Sequence, residues 1–208
     1  MVQYGMGVCD CVGLLALISP AYIFKMNKNQ ILVRNIKHLT DARYFAAMGA
    51  DWMSMELNND PTSFMKWHTL KDWVAGVKLA AEIDTTDEML LAKTIIDALP
   101  DGIIVHNLSP FELSMDIQLF YDAQSIEGID FPDNSFKIIR YDQSMELQPI
   151  LSTDPGLIFL QSEWTQATLE KILKTGYAGG ICFSGGEEDA TGIRDYEMLD
   201  ELFGMITE

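Results

Sequence analysis

Near its C-terminus the chain runs Gly179-Gly-Ile-Cys-Phe-Ser-Gly-Gly-Glu-Glu-Asp-Ala-Thr-Gly-Ile-Arg-Asp195. The apolar residues 181–183 lie between glycines and predict a short buried strand, after which Ser184, Gly185 and Gly186 allow a tight turn. Asp195 can cap a following helix that has an apolar face. A strand, a glycine loop and a helix are typical of a phosphate site, because free amides and the positive end of a helix dipole face the anion together. The alternative is an ordinary tight turn.

Strand and helix patterns alternate along the chain before this stretch. The apolar strands predict a parallel sheet that is buried on both faces. Residues 110–124 are ambiguous, since they fit either one helix or a short helix followed by a strand at 117–121. The other predicted strands span residues 30–36, 52–57, 74–83, 102–106, 136–142, 157–162 and 181–183.

Composition limits the class of protein and the kind of partner. With 208 residues, 48% of them hydrophobic, the chain can bury one sizeable core, so we expect one domain. Its 31 acidic and 14 basic residues give a formal charge of −17, which repels nucleic acid and anionic lipid. The three cysteines cannot all pair with one another and indicate a reducing compartment, so we expect a cytoplasmic protein.

Residues 1–25 do not fit the strand and helix alternation. Their apolar run, residues 12–24, is shorter than the ~20 residues that a membrane span needs, and no basic residue precedes it as in a secretory signal. We therefore predict a leader at 1–25 outside the domain, a domain at 26–208 and no membrane partner. Cys9 and Cys11 lack the spacing of a metal site, and the chain contains no dinucleotide fingerprint, so no metal or cofactor is predicted.

Two stretches resemble phosphoribosylanthranilate isomerases. The last strand and loop of that family typically run Gly-Val-Asp-Val-Ser-Ser-Gly-Val-Glu-x-x-Pro-Gly-x-Lys-Asp. This chain matches them at Gly180, Ser184, Gly186, Glu188, Gly192 and Asp195, and Arg194 keeps the charge of the lysine. The run Leu32-Val-Arg-Asn-Ile-Lys-His-Leu-Thr-Asp41-Ala42, followed by Gly49-Ala50-Asp51, resembles the first strand and helix of the family, Lys-Ile-Cys-Gly-Ile-Thr-x-x-x-Asp-Ala followed by Gly-Ala-Asp.

The resemblance implies a single (β/α)₈ barrel of the TIM type that binds a substrate phosphate on the loops after its last two strands. One β/α unit is reduced if residues 117–121 do not form a strand. By this resemblance Ser184, Gly185 and Gly186, with Ser162 at the end of the seventh strand, hold the phosphate. Glu163 replaces a phosphate-binding glycine there, and its charge argues against an unchanged phosphate site.

The family catalyses an Amadori rearrangement, in which a carboxylic acid opens the ribose ring and a cysteine thiolate of the first strand removes a proton. Arg34 stands at the cysteine position and cannot accept a proton at neutral pH, although it could bind an anion. Asp142 fits the position of the acid if residues 117–121 form strand five. Cys182 replaces an aspartate of the last strand and fits a small core residue, with a relocated base at Cys182 or Glu163 as the alternative.

The chain has three histidines, and one of them can be compared with the family. His106 and Asn107 follow strand four where the family has His-Gly, which supports the register, whereas His38 and His68 fit solvated positions.

Three hypotheses about function remain: an isomerase with unusual residues, a barrel for another small phosphorylated or anionic ligand, and a non-catalytic partner or regulatory subunit. In each case we expect a monomer or a homodimer. We expect a poor isomerase of tryptophan biosynthesis or none.

Overall fold

The computed structural model describes residues 29–58, 60–85, 87–106, 117–123, 132, 135–152, 155–185 and 195–207. Eight parallel strands form a closed barrel in which each strand pairs with its neighbours along the chain and the last pairs with the first. The strands are β1 Ile31–Arg34, β2 Trp52–Glu56, β3 Lys78–Ile83, β4 Gly102–His106, β5 Gln118–Ala123, β6 Phe136–Arg140, β7 Ile158–Gln161 and β8 Gly180–Ser184.

Six α-helices lie in the described part of the chain. They are α1 Leu39–Ala47, α2 Pro61–Trp73, α3 Glu88–Ala98, α4 Gln148–Ser152, α5 Gln166–Lys174 and α6 Glu197–Thr207, with a 3₁₀ turn at Pro155–Leu157 before β7. Side chains start three of these helices, because Asp60, Asp87 and Thr165 each accept backbone N–H groups of the first turn. None of the described helices is long and apolar enough to cross a membrane.

The predicted single (β/α)₈ barrel is confirmed. The ambiguous stretch supplies a full strand, β5, so the barrel has all eight strands without a gap. The third strand begins at Lys78 rather than at residue 74, because Val74 ends α2 and Gly76 turns the chain with a φ of 84°. The predicted leader at residues 1–25 and the domain start at residue 26 lie outside the described residues.

The centre of the barrel is filled by alternate residues of the strands. One inner cluster is aromatic at its core, with the Trp52 and Phe120 rings edge to face at 4.9 Å and the Phe136 and Phe159 rings at 5.2 Å. Its buried members are Leu32, Trp52, Ala80, Ile104, Phe120, Ile138, Phe159 and Cys182. The intervening strand residues pack against the helices in a second, larger cluster. In the part of the chain that the structure describes, the middle of the barrel is therefore a packed core without space for a ligand.

Asp41 and Asp51, the acidic residues of the motif at the first strand and helix, have structural roles. Asp51 Oδ2 accepts the backbone N–H of Ile31 at 2.9 Å, which joins the start of β2 to the start of β1. Asp101 repeats this arrangement two strands further around the barrel, between β4 and β3, by accepting the N–H of Leu79. Asp41 is fully buried and accepts the hydroxyl of Tyr196 at 2.6 Å. These matches to the isomerase motif therefore support the barrel and not its chemistry.

Replacing Gly180 with alanine is expected to lower the free energy of unfolding by about 1–3 kcal/mol. A Cβ at this position would lie 2.2 Å from the ring of Phe159, which is fully buried and cannot move aside. Gly204 of α6 provides the control, because a Cβ there meets nothing within 4 Å. Gly204→Ala should raise the unfolding free energy by about 0.5–1 kcal/mol. Urea denaturation of both variants measures the contrast, and equal midpoints would contradict the packing seen at Gly180.

Candidate functional site

A layer of polar residues covers the core at the C-terminal ends of the strands. It borders a cavity of about 490 Å³, within the range of roughly 300–1,000 Å³ typical of small-molecule sites. Active sites of TIM-type barrels lie at this end. The residues that line the cavity are Arg34, Asn35, Glu56, Glu82, Asp84, His106, Asp122, Arg140, Gln161 and Ser184.

Arg34 lies at the centre of this layer and is only 7% exposed. Its Nη1 donates to Asp122 Oδ2 and to Gln161 Oε1, both at 2.8 Å, and its Nη2 donates to Glu82 Oε2 at 2.7 Å. Burial lowers the pKa of the guanidinium, but the neighbouring Glu82 carboxylate outweighs this and raises the pKa above its ordinary value. Arg34 is therefore a permanent cation that the protein itself neutralises.

Glu82 is the buried anion of the cluster. Its Oε1 accepts the Ser54 hydroxyl and the backbone N–H of Asn35, the latter at 3.2 Å. Burial by itself raises the pKa of this carboxyl, yet the hydrogen bond from His106 and the charge of Arg34 outweigh burial and lower the pKa to about 2. Glu82 is thus a carboxylate over the whole physiological range and cannot accept a proton there.

His106 bridges the two carboxylates of the cluster, and a quarter of its side chain is exposed. Its Nδ1 lies 3.1 Å from Asp122 Oδ2, and its Nε2 lies 3.5 Å from Glu82 Oε2. The hydrogen bonds to Asp122 and then to Glu82 raise the pKa of the imidazole to about 9, against the opposing effect of burial. Burial raises the pKa of Asp122, but the hydrogen bond from His106 and the charge of Arg34 lower it overall. At neutral pH the four groups form two cations and two anions.

Asn35 follows Arg34 in an unusual backbone conformation. Its φ is 59°, in the left-handed region that favours glycine and that asparagine tolerates better than most residues. Phosphoribosylanthranilate isomerases typically have a glycine at this position. This conformation lets the Asn35 N–H point at Glu82, so the sequence Arg34-Asn35 supplies both a cation and a backbone donor to the same carboxylate.

The end of β8 is closed tightly against the end of β1. Gly185 is buried, and its N–H donates to the Arg34 carbonyl at 2.6 Å. A Cβ at Gly185 would lie 3.0 Å from the carbonyl oxygens of Arg34 and Asn35, so only glycine fits without a shift. This amide is already used and cannot also hold a phosphate. Ser184 lines the cavity and is exposed, while Gly186 and the rest of the loop to residue 194 lie outside the described residues.

The other residues predicted for the site do not line the cavity. Cys182 is fully buried in the inner apolar cluster, and burial raises the pKa of its thiol well above the ordinary value. Ser162 is half-buried and Glu163 exposed in the segment after β7.

Asp142 lies beyond the last strand residue that reaches the cavity. The sixth strand ends at Arg140 rather than at residue 142, and Asp142 is exposed in the turn that follows. Its Oδ1 accepts the Ser144 backbone N–H at 2.7 Å and the Ser144 hydroxyl, and the bond from this hydroxyl lowers the pKa of Asp142. Arg140, two residues earlier, lines the cavity instead.

Six cavity residues were not predicted from the sequence: Glu56, Glu82, Asp84, Asp122, Arg140 and Gln161. The available signal was a polar residue at or next to the C-terminal end of a mostly apolar strand, such as Glu82 in Lys78–Ile83 or Arg140 in Phe136–Arg140. His38 and His68 are exposed, as predicted, and Asn107 lies outside the described residues. No group of three or more metal-ligating side chains occurs in the described residues.

Solved structures of phosphoribosylanthranilate isomerases superpose on this barrel. The enzyme from Thermus thermophilus has 16% sequence identity and a TM-score of 0.66 over 84% of this chain and 96% of that chain. The enzymes from Pyrococcus furiosus and Thermococcus kodakaraensis each have 13% identity and a TM-score of 0.64, over 85% and 86% of this chain and 97% and 99% of theirs. This chain has their fold.

The resemblance predicted from the two motifs is therefore confirmed at the level of the fold. No family model and no curated protein matches the sequence. Because one barrel fold carries many reactions, the residues of the cavity have to supply the argument about function.

Proposed function

We propose that this protein binds a small anionic ligand in the cavity at the C-terminal ends of its strands, and that it does not act as a phosphoribosylanthranilate isomerase of the thiol and carboxyl type. The observation that carries the proposal is the state of Arg34. It stands at the position of the family's base, and it is buried and held by Glu82, Asp122 and Gln161.

Among the described residues, the cavity does not offer the base and the acid that carry out the proton transfers of the isomerase reaction. General base catalysis typically contributes about 10²–10⁴-fold, and an arginine cannot provide it. Cys182 lies inside the apolar core, and Glu82 and Asp122 are held as carboxylates by Arg34 and His106. Asp142 faces the turn at Ser144. The cavity carboxylates without an ion pair to the described residues, Glu56 and Asp84, lie at the ends of β2 and β3 and not on β1, where the family has its base.

Arg140 supports an anionic ligand. It is exposed, lines the cavity and makes no ion pair or side-chain hydrogen bond with the described residues. The Ser184 hydroxyl and the Gln161 side chain line the same cavity. Since the overall charge of −17 repels anions at long range, affinity has to come from such local donors.

Complementation tests the absence of isomerase activity. We expect the full chain to leave a tryptophan auxotroph that lacks the isomerase unable to grow, because the base is missing. Growth restored by Arg34→Cys, which places a thiol at the family's position, would support the assignment of Arg34. Robust growth with the unchanged chain would overturn the proposal, and dependence of that growth on Asp142 would identify the acid.

Calorimetric titration with ribose 5-phosphate and with inorganic phosphate tests anion binding. Arg140→Gln should weaken the binding of ribose 5-phosphate by about 10- to 100-fold, the effect of one hydrogen bond to a charged group. Arg43→Gln is the matched control, because Arg43 stacks on the Trp73 ring at 4.5 Å and does not line the cavity. Equal affinities of the two variants would contradict binding at Arg140.

A further inference from the structure

The charges of the cavity that remain unpaired are divided between two opposite walls. Glu56 ends β2 and Asp84 follows β3, so two carboxylates occupy one wall. Arg140 ends β6, which is four strands from β2 in either direction around the closed barrel. All three side chains belong to exposed residues, and none makes an ion pair with the described residues.

The floor between these walls is electrically balanced. Arg34 and the charged His106 face Glu82 and Asp122, so that two positive groups offset two negative groups within one hydrogen-bonded cluster. Among the described residues, the charges that line the cavity without an ion-pair partner are therefore those of Arg140 on one side and of Glu56 and Asp84 on the other.

One further observation indicates that the acidic wall has room for a ligand's polar groups. Glu56 and Asp84 also border a second cavity of about 110 Å³, together with polar residues such as Asn58 and Thr85.

We infer that the ligand is a small zwitterion, with its anionic group at Arg140 and a protonated amine at Glu56 and Asp84. This inference rests on the proposed function and narrows its ligand class. A simple anion would bind Arg140 while facing two uncompensated carboxylates, and a simple cation would face the guanidinium. Only a molecule that carries both charges, separated by the width of the cavity, matches both walls.

Paired probes that differ in a single amine test this inference. Phosphoethanolamine carries a terminal ammonium that ethyl phosphate lacks, and glucosamine 6-phosphate differs from glucose 6-phosphate by an amine in place of one hydroxyl. In calorimetric titrations at pH 7 we expect the amine to bind about 10-fold or more tightly in at least one pair. The double variant Glu56→Gln with Asp84→Asn should reduce this preference to less than about 2-fold.

The outcomes separate this inference from the function on which it rests. Arg140→Gln should weaken both members of a pair equally, since both carry the phosphate. If both members bind the unchanged protein with equal affinity, the zwitterion is excluded and the anion site stands. If no probe and no simple anion binds, both proposals fail. The unfolding midpoint of the double variant should match that of the unchanged protein, because both residues are exposed, and a large loss would mean that they support the fold.

Discussion

Replacing Arg34 with methionine is expected to lower the free energy of unfolding by about 3–5 kcal/mol, the cost of removing one partner from a buried ion cluster. Methionine preserves much of the side-chain volume, so the loss reports on charge. Glu82 and Asp122 would then lose their shared cation, and the Glu82 carboxylate would be left almost fully buried. Urea denaturation at pH 7 measures the effect.

The control for this substitution is Arg43→Met. Arg43 stacks on the exposed ring of Trp73, an interaction worth about 0.5–1 kcal/mol at a surface. A second variant, Arg34→Met with Glu82→Gln, removes the buried negative charge and should recover part of the loss. A difference of less than about 1 kcal/mol between Arg34→Met and the unchanged protein would show that the cluster contributes little to the fold.

The stability of the protein is expected to fall on both sides of a plateau between about pH 4.5 and 6.5. On the acidic side the pKa of Glu82 is depressed from 4.5 to about 2 in the folded state. A depressed carboxyl pKa contributes stability above the unfolded value, and this contribution is lost as the pH falls from 4.5 through 2. At about 1.4 kcal/mol for each pKa unit, Glu82 accounts for about 3 kcal/mol, and Glu82→Gln should flatten this limb.

On the alkaline side His106 determines the slope. Its pKa is raised from 6.5 to about 9, so its contribution is complete below pH 6.5 and is lost as the pH rises through 9. Because the side chain is partly exposed, solvent screening reduces this contribution to on the order of 1 kcal/mol.

Urea midpoints measured from pH 2 to 9 record both limbs, because the buried Cys182 and Tyr177, whose pKa values burial raises, reduce stability only at higher pH. His106→Gln should remove the alkaline slope, whereas His68→Gln on the exposed face of α2 should leave the profile unchanged. An alkaline slope that persists in His106→Gln would assign the titration to another group.

The order of strands and helices could be predicted because each element is indicated by a pattern of only a few neighbouring residues. Apolar runs such as Gly102–His106 and the glycines near β8 indicate strands and turns without reference to distant parts of the chain. Strand β5 was ambiguous for the same reason, since Gln118 and Asp122 interrupt its apolar residues on the face that places Phe120 in the inner cluster. Their polarity is explained only when the strand is placed between β4 and β6.

From the sequence alone, a barrel of alternating strands and helices could be predicted, with one strand left open, and so could an arginine where phosphoribosylanthranilate isomerases have their base. The contacts of that arginine became visible in the folded chain. Its partners Glu82, Asp122 and Gln161 lie 48, 88 and 127 residues away along the chain and meet it because strand register and barrel closure bring their side chains to one layer. Local periodicity specifies strands and helices, whereas ion pairs across a barrel depend on the register of all eight strands at once.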